Sequence, residues 1–240
     1  MTAPPPATPT AASEEGDPRT SPSSDATHPV GAAGPGERFA ERLAGSGRAS
    51  AEVLTRRLVV QQEAHLTAAL EAVATAGALP RAAALVVAAR RRYVTGTAKS
   101  AAYATLLAAD LAVGLSHVRL VGPHAALDVV PEVGPSDVLV AFSFRRYRRE
   151  TVAFARAFVE AGGALVAITD DEAAPLAALA TETVVVGTES ASFADSPTAV
   201  VAVAHVLATV SAGSAKGARR RLAARDRLAA DLGLYLEESR

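Results

Sequence analysis

Cysteine is absent from the 240 residues, which excludes disulfides, cysteine nucleophiles and thiolate metal sites together. Tryptophan is absent too, methionine occurs once and aromatics make up 4% of the chain, so a core must be built from aliphatic side chains. Neither sign of charge dominates: 24 Lys and Arg stand against 25 Asp and Glu, a formal net charge of −1. Nothing in that balance calls for nucleic acid or another polyanionic partner. No apolar run reaches the roughly 20 residues that a membrane-spanning helix needs. The N-terminus carries Glu14, Glu15 and Asp17 in place of a basic-then-apolar leader. The expected setting is cytoplasmic, with no membrane partner. The five histidines are dispersed, with no carboxylate at ligand spacing. Lys99 lacks the glycine frame of a Walker loop, and the glycines of a Rossmann fingerprint are missing. No metal and no cofactor is expected.

What is present is Ala, Val and Leu in quantity, with half of all residues hydrophobic. Residues 1–36 are the exception: Pro, Ala, Ser, Thr and Gly dominate there, with too little apolar surface to offset the entropy of ordering them. This stretch reads as a disordered tail. Residues 37–79 read as a helical linker segment, with a long helix over Ala51 to Ala76. Leu54, Leu58, Gln62, His65, Ala69 and Val73 fall on one stripe at three- and four-residue spacing. Gly77 stops that helix, and Pro80 opens a second over Arg81 to Arg90.

Residues 80–240 read as one α/β domain with a C-terminal helix. Strands are expected at Arg92–Gly96, His117–Val121, Asp137–Ser143, Ala164–Thr169 and Thr183–Val186. Helices are expected at Ser100–Val113, Arg148–Ala161, Ala174–Ala180, Ser196–Val210 and Ala215–Leu236. The strands are continuous apolar runs, which implies burial on both faces, and alternation with helices implies a parallel sheet. The expected architecture is a three-layer α/β/α domain around a five-stranded parallel sheet, flanked by N- and C-terminal helices.

Ligands of such sheets bind at the carboxyl ends of strands. Three loops qualify. In Gly96-Thr97-Ala98-Lys99-Ser100 the glycine permits a tight turn, hydroxyls donate, and the following helix N-terminus favours an anion; a glycine turn with a helix cap would give the same pattern. Ser143 is followed by Arg145, Arg146, Arg148 and Arg149, whose forks match phosphate or carboxylate oxygens. Cations at a helix start oppose its dipole, so an anionic ligand, Glu150 or acids of another subunit should offset them; a solvated basic surface is the plain alternative. The third loop holds Glu189, Ser190 and Ser192, with Asp195 or Ser196 available to cap the next helix.

Taken together, these loops resemble the SIS (sugar isomerase) domain, and most closely the effector domain of RpiR-type transcription regulators. The family's Gly-x-Gly-x-Ser becomes Gly96-Thr97-Ala98-Lys99-Ser100, with Ala98 in the second glycine position. Its Ser-x-Ser-Gly-x-Thr keeps Ser143 but has Arg145, Arg146 and Arg148 in place of the later serine, glycine and threonine. Ala167-Ile168-Thr169-Asp170 with Ala174–Ala177, and Glu189-Ser190 with Phe193–Ser196, resemble the family's following segments. The resemblance implies the flavodoxin-like SIS fold, a phosphosugar or similar anion as ligand, and a homodimer. It implies Gly96, Thr97, Lys99, Ser100, Ser143, Arg145, Arg146, Arg148, Glu189, Ser190 and Ser192 as ligand-binding residues. RpiR-type regulators also carry a helix-turn-helix domain, for which Glu37–Ala49 is too short, so direct sequence-specific DNA binding by this chain is not expected.

The favoured function is a non-catalytic, ligand-sensing or dimerisation module, not an enzyme; the alternatives are a phosphosugar isomerase and a degenerate scaffold that contacts a protein. Isomerisation needs a base beside the sugar carbons. Glu189 is the best candidate, ahead of Glu150, His124 and His205. The basic stretch Lys216, Arg219, Arg220, Arg221, Arg225 and Arg227 is expected to be a solvated helix face, with Leu222, Leu228 and Leu232 packed inward.

Overall fold

A computed structural model describes residues 37, 40, 50–190, 192 and 194–236. The predicted tail over 1–36 and most of 37–49 lie outside the described residues. Ser50 opens helix α1 (Ala51–Ala76) with an extended backbone, and its hydroxyl accepts the Val53 N–H at 3.4 Å. Gly77 closes the helix at φ 64°, a left-handed conformation suited to glycine. A 67° bend then leads into α2 (Ala78–Ala88). This helix starts before the expected Arg81, because Pro80 is tolerated throughout a first turn, where N–H groups lack helical acceptors.

The chain continues through β1 (Arg91–Gly96), α3 (Lys99–Gly114), β2 (Val118–Leu120), β3 (Asp137–Phe142), α4 (Arg149–Glu160), β4 (Ala164–Thr169), β5 (Glu182–Val185), α5 (Thr198–Ser214) and α6 (Ala218–Asp231). Short helical turns fill Pro123–Glu132. The expected helix over Ala174–Ala180 is reduced to a 3-10 turn at Ala177–Leu179.

All strand pairs are parallel, in the order β2-β1-β3-β4-β5. The register aligns Val94, Val140 and Val166 on one face of the sheet, and Tyr93, Leu139 and Leu165 on the other. Every residue of β3 is buried, which explains why its apolar run shows no alternation. Valines of the first face meet Val86 of α2, Leu107 and Leu111 of α3, and Val203 and Leu207 of α5. Alanines such as Ala82, Ala104 and Ala204 let three helices share that face. The second face is covered by one long helix, α4, and uses larger side chains: Phe158 meets Tyr93 edge-on at 5.5 Å between centroids. Full burial of each such side chain stabilises the fold by roughly 1.5–3 kcal/mol.

Burial rises along the α1 stripe: Leu54 is exposed, Leu58, Gln62 and His65 are half-buried, and Ala69 and Val73 are buried, while Val53, Val59 and Val60 off the stripe are exposed. One expectation needs correction: Leu222 and Leu228 of α6, and Leu232 just after it, do not pack inward but are exposed. After a 106° bend from α5, α6 rests on the body through the small residues Ala218 and Ala229, and its leucines are left outside. Among the described residues, no single helix is long and apolar enough to cross a membrane.

Strand order fixes where a site lies. From β1 the chain crosses one face through α3, and from β3 it crosses the other through α4. The two crossovers diverge at the carboxyl ends of β1 and β3, leaving a crevice there.

Candidate functional site

The crevice is a cavity of about 610 Å³ lined by the loops after β1 and β3 and by part of the loop before α5. Gly96 ends β1 with no room for a side chain: a Cβ there would stand 2.4 Å from the Ser100 carbonyl oxygen. Ala98 follows at φ 51° and ψ −125°, a conformation natural to glycine. The second glycine of the motif has thus been replaced while its backbone shape is kept. Thr97 is held 2.9 Å from the Thr151 hydroxyl in the first turn of α4, which ties the two divergent helices together. Lys99 reaches across the cavity and donates its amine to the Asp195 carbonyl.

The arginine loop divides by role. Arg145 donates its main-chain N–H to Asp170 at 3.3 Å and its guanidinium to Asp171 at 3.1 Å. These acids follow β4, the strand beside β3, so the chain itself supplies the counter-charge for this residue. A hydrogen bond with Tyr147 and the charge of Asp170 raise the Arg145 pKa further above its ordinary value. The Tyr147 phenol is pushed up to about 12, mainly by burial and then by Asp170. Arg146 and Arg148 also line the cavity and are exposed; neither makes an ion pair among the described residues. Arg148 is the N-cap residue of α4 and no side chain caps that helix, so its free N–H groups and two guanidinium groups face the same space.

Ser143 and Ser196 line the cavity as buried hydroxyls, and Ser100 is half-buried. Of the two expected caps, Asp195 and Ser196, neither is the N-cap of α5, which is Pro197; the Ser196 hydroxyl still accepts the Thr198 N–H at the helix start at 3.2 Å. Tyr103 forms the floor, stacked edge-on with Phe144 at 5.9 Å. Burial and the charge of Asp195 push its phenol up to about 12.

Of the expected ligand-binding residues, Thr97, Lys99, Ser100, Ser143, Arg145, Arg146 and Arg148 line this cavity. Gly96 shapes it without lining it. Glu189, Ser190 and Ser192 do not line it. Ser190 and Ser192 face α1 across a separate groove with Leu58, Gln62 and Leu66, and the Glu189 carbonyl accepts from His65 Nδ1 at 3.1 Å. Phe193 lies outside the described residues. The bases considered for isomerisation are elsewhere too. Glu150 is exposed on α4, the His124 ring folds over Gly122, and His205 sits on the outer face of α5, 3.7 Å from Asp110. Among the described lining residues Asp195 is the one carboxylate, and there is no histidine.

The sequence did not single out Tyr103, Tyr147, Thr188, Asp195 and Ser196 as ligand-binding residues, yet all five line the cavity. Tyr103 was signalled by its position one turn after Lys99 on α3, which places it on the same face. The pair Asp170-Asp171 directly after the apolar run of β4 was a signal for the partners of Arg145.

A family model for the SIS domain matches residues 85–210. Among solved structures, the sugar isomerase domain of an RpiR transcription factor from Sphaerobacter thermophilus is 24% identical with a TM-score of 0.62, covering 72% of this chain and 98% of that one. The Vibrio vulnificus NanR protein complexed with ManNAc-6P is 18% identical with a TM-score of 0.61, covering 80% of this chain and 73% of that one. E. coli CFT073 c3406 in complex with A5P is 20% identical with a TM-score of 0.54, covering 70% of this chain and 97% of that one. Comparison with curated proteins finds no match. At these identities the solved structures share a fold with this chain. The family model spans more than half of the sequence, including the strands and loops that build the crevice, and so the chain belongs to the SIS domain family.

Proposed function

We propose that this chain is a non-catalytic SIS module that binds a phosphosugar or similar phosphorylated anion in the β1/β3 crevice and acts as a ligand-sensing effector domain of the RpiR regulator type. The observation that carries the reading is the pairing of Arg146 and Arg148, free of ion pairs among the described residues, with the hydroxyls of Ser100, Ser143 and Ser196 around one cavity. Guanidinium forks meet a phosphate bidentately, and hydroxyls serve either phosphate or sugar oxygens. NanR and c3406, which share the fold, are complexed with ManNAc-6P and A5P, and this chemistry supports the same ligand class here. Arg145, occupied by Asp170 and Asp171, acts as a positioning residue for the loop. Lys99, Ser100, Ser143, Arg146 and Arg148 are the proposed contacts, with Thr97 and Gly96 setting the shape.

The proposed unit is residues 80–240, behind a linker at 37–79 and a tail at 1–36, in a cytoplasmic homodimer. A ligand that binds one arrangement of the dimer more tightly shifts its population. Turnover is not part of this reading, because Glu150, Glu189, His124 and His205 lie outside the cavity lining. Asp195 keeps isomerase activity open as the second reading.

The test is a thermal-unfolding screen against sugar phosphates, amino-sugar phosphates and inorganic phosphate. A ligand at a hundred times its Kd should add roughly 2.7 kcal/mol of stability, and the gain should fall to about half or less in Arg146→Ala and in Arg148→Ala. No stabilisation by any phosphorylated sugar would overturn the ligand-sensing reading. Conversion of a binding sugar phosphate, lost in Asp195→Asn, would establish the isomerase instead.

A further inference from the structure

A second cavity, of about 360 Å³, opens at the opposite end of the sheet, among Arg92 at the start of β1, Ser116 before β2, the end of α5 and the start of α6. Among the described residues its charged lining is all of one sign: Arg92, Lys216, Arg220 and Arg221 face it, and no Asp or Glu does. None of the four makes an ion pair among the described residues. Ser116 and Ser214 add hydroxyls.

Arg92 is the unusual member. Its side chain is buried, with 6% exposure for the residue. Three carbonyls receive its guanidinium: Val86 at 2.6 Å, Val87 at 2.9 Å and Ser116 at 2.9 Å. Those acceptors satisfy N–H groups and the end of α2 favours a cation, yet they are neutral and leave a full positive charge without a counter-ion among the described residues. A buried charge of that kind is costly. The local field works against it further: burial, and then the charge of Arg221, hold the Arg92 pKa below its ordinary value.

Helix α6 compounds the imbalance. Its first turn holds Arg219, Arg220 and Arg221 with no acidic residue, and Gly217 supplies no side-chain cap. Cations in a first turn oppose the helix dipole, which an anion there would relieve. Three features thus converge on one concave space: a buried unbalanced guanidinium, exposed cations from the start of α6, and an uncapped helix start. The sequence-level reading of this basic stretch as a solvated face explains Arg225 and Arg227 but not the clustering around Arg92.

We propose that this cavity is a second oxyanion site, distinct from the β1/β3 crevice, that takes a phosphate or pyrophosphate group of a small molecule. The volume, many times the roughly 30 Å³ share of one water, accommodates a phosphate group with part of its hydration. The concave lining, with Arg92 buried at its base, favours a small molecule over a nucleic-acid backbone, which a convex surface would serve as well.

The test uses the full chain with pyrophosphate as the probe, titrated calorimetrically at constant ionic strength. Arg146→Gln with Arg148→Gln removes the crevice, and Arg220→Gln with Arg221→Gln removes the second cavity; all four are exposed, so the unliganded melting temperature should stay near the wild-type value. The expected result is pyrophosphate binding that survives the crevice pair and weakens by tenfold or more when Arg220 and Arg221 are changed as well. Loss of all binding in the crevice pair alone would overturn the proposal, as would residual binding indifferent to Arg220 and Arg221. Binding of a 20-base-pair duplex with none of pyrophosphate would overturn it in favour of a nucleic-acid surface. Survival in the crevice pair is independent of what the crevice itself binds, so the two sites fail separately.

Discussion

Arg145 and Asp171 are joined across the carboxyl ends of neighbouring strands, guanidinium to carboxylate at 3.1 Å. Arg146, the next residue, has no such partner among the described residues. Consecutive arginines therefore do different work, and substitution should separate them. Arg146→Ala and Arg148→Ala should each weaken phosphosugar binding by roughly tenfold or more, the worth of a hydrogen bond to a charged group, without moving the unliganded melting temperature. Arg145→Ala breaks a half-exposed ion pair worth at most about 1 kcal/mol. It should lower unliganded stability slightly and impair binding only through the loop. Melting curves and calorimetric Kd values for the three variants would separate these effects, and equal losses of affinity with unchanged stability would contradict the assignment.

Ala98 offers a cleaner test, because the substituted site is small. Its φ of 51° with ψ of −125° costs a non-glycine residue about 1–3 kcal/mol. Ala98→Gly should recover part of that, less the entropy glycine brings to the unfolded chain, for a net gain of about 1 kcal/mol. Gly96→Ala should do the reverse, and strongly: the new Cβ would stand 2.4 Å from a main-chain oxygen that cannot swing away. Denaturant midpoints at constant m-value would report both, and a destabilised Ala98→Gly would refute the account of this turn.

This loop also shows how far the sequence could be read. Gly96, Ala98 and Ser100 stand at recognisable spacing directly after an apolar run, so both the strand end and the replaced glycine were visible. The strands were legible for the same reason: β3 and β4 are unbroken apolar segments bounded by turn residues. What could not be read depended on neighbours distant in the chain. Nothing local says that Asp170 and Asp171 occupy Arg145. Nothing local separates Ser190 and Ser192, which face α1, from Ser196, which faces the crevice. The leucines of α6 have helical spacing, but the bend before the helix, not the spacing, decides that they face outward.

Asp137 gives the fold a pH dependence. It is 2% exposed and receives Arg91 at 2.7 Å and the Gly134 N–H at 2.9 Å. The hydrogen bond from Arg91 outweighs burial and holds its carboxyl below the usual carboxylate range. A depressed carboxyl contributes stability that is fully present above its unfolded value, about 3.9, and is lost as pH falls through the folded value. Asp137→Asn should therefore cost about 3 kcal/mol at pH 7, the scale of breaking a buried pair. The gap between variant and wild type should close as pH drops below about 4. Urea unfolding at pH 7, 4 and 3 would measure it, and a pH-independent difference would point to lost packing in place of lost charge.

The outer face of α5 bears on assembly. Val206 and Val210 are 38% and 36% exposed and, at four-residue spacing, share one side of the helix, while Val201 lies on the opposite edge of its exposed face. Single exposed valines are ordinary, but an adjacent pair on a mostly apolar helix calls for a cover. The exposed Val53, Leu54, Val59 and Val60 of α1 call for the same. In the proposed homodimer a second copy supplies it. Wild-type protein should sediment as a dimer at micromolar concentration, and Val206→Glu, which buries a charge in the interface, should sediment as a folded monomer with unchanged far-ultraviolet circular dichroism. A wild-type monomer at every concentration would leave the helix uncovered and remove the dimer from the sensing mechanism. A dimer indifferent to Val206→Glu would move the interface to α1, where Val60→Glu becomes the decisive variant.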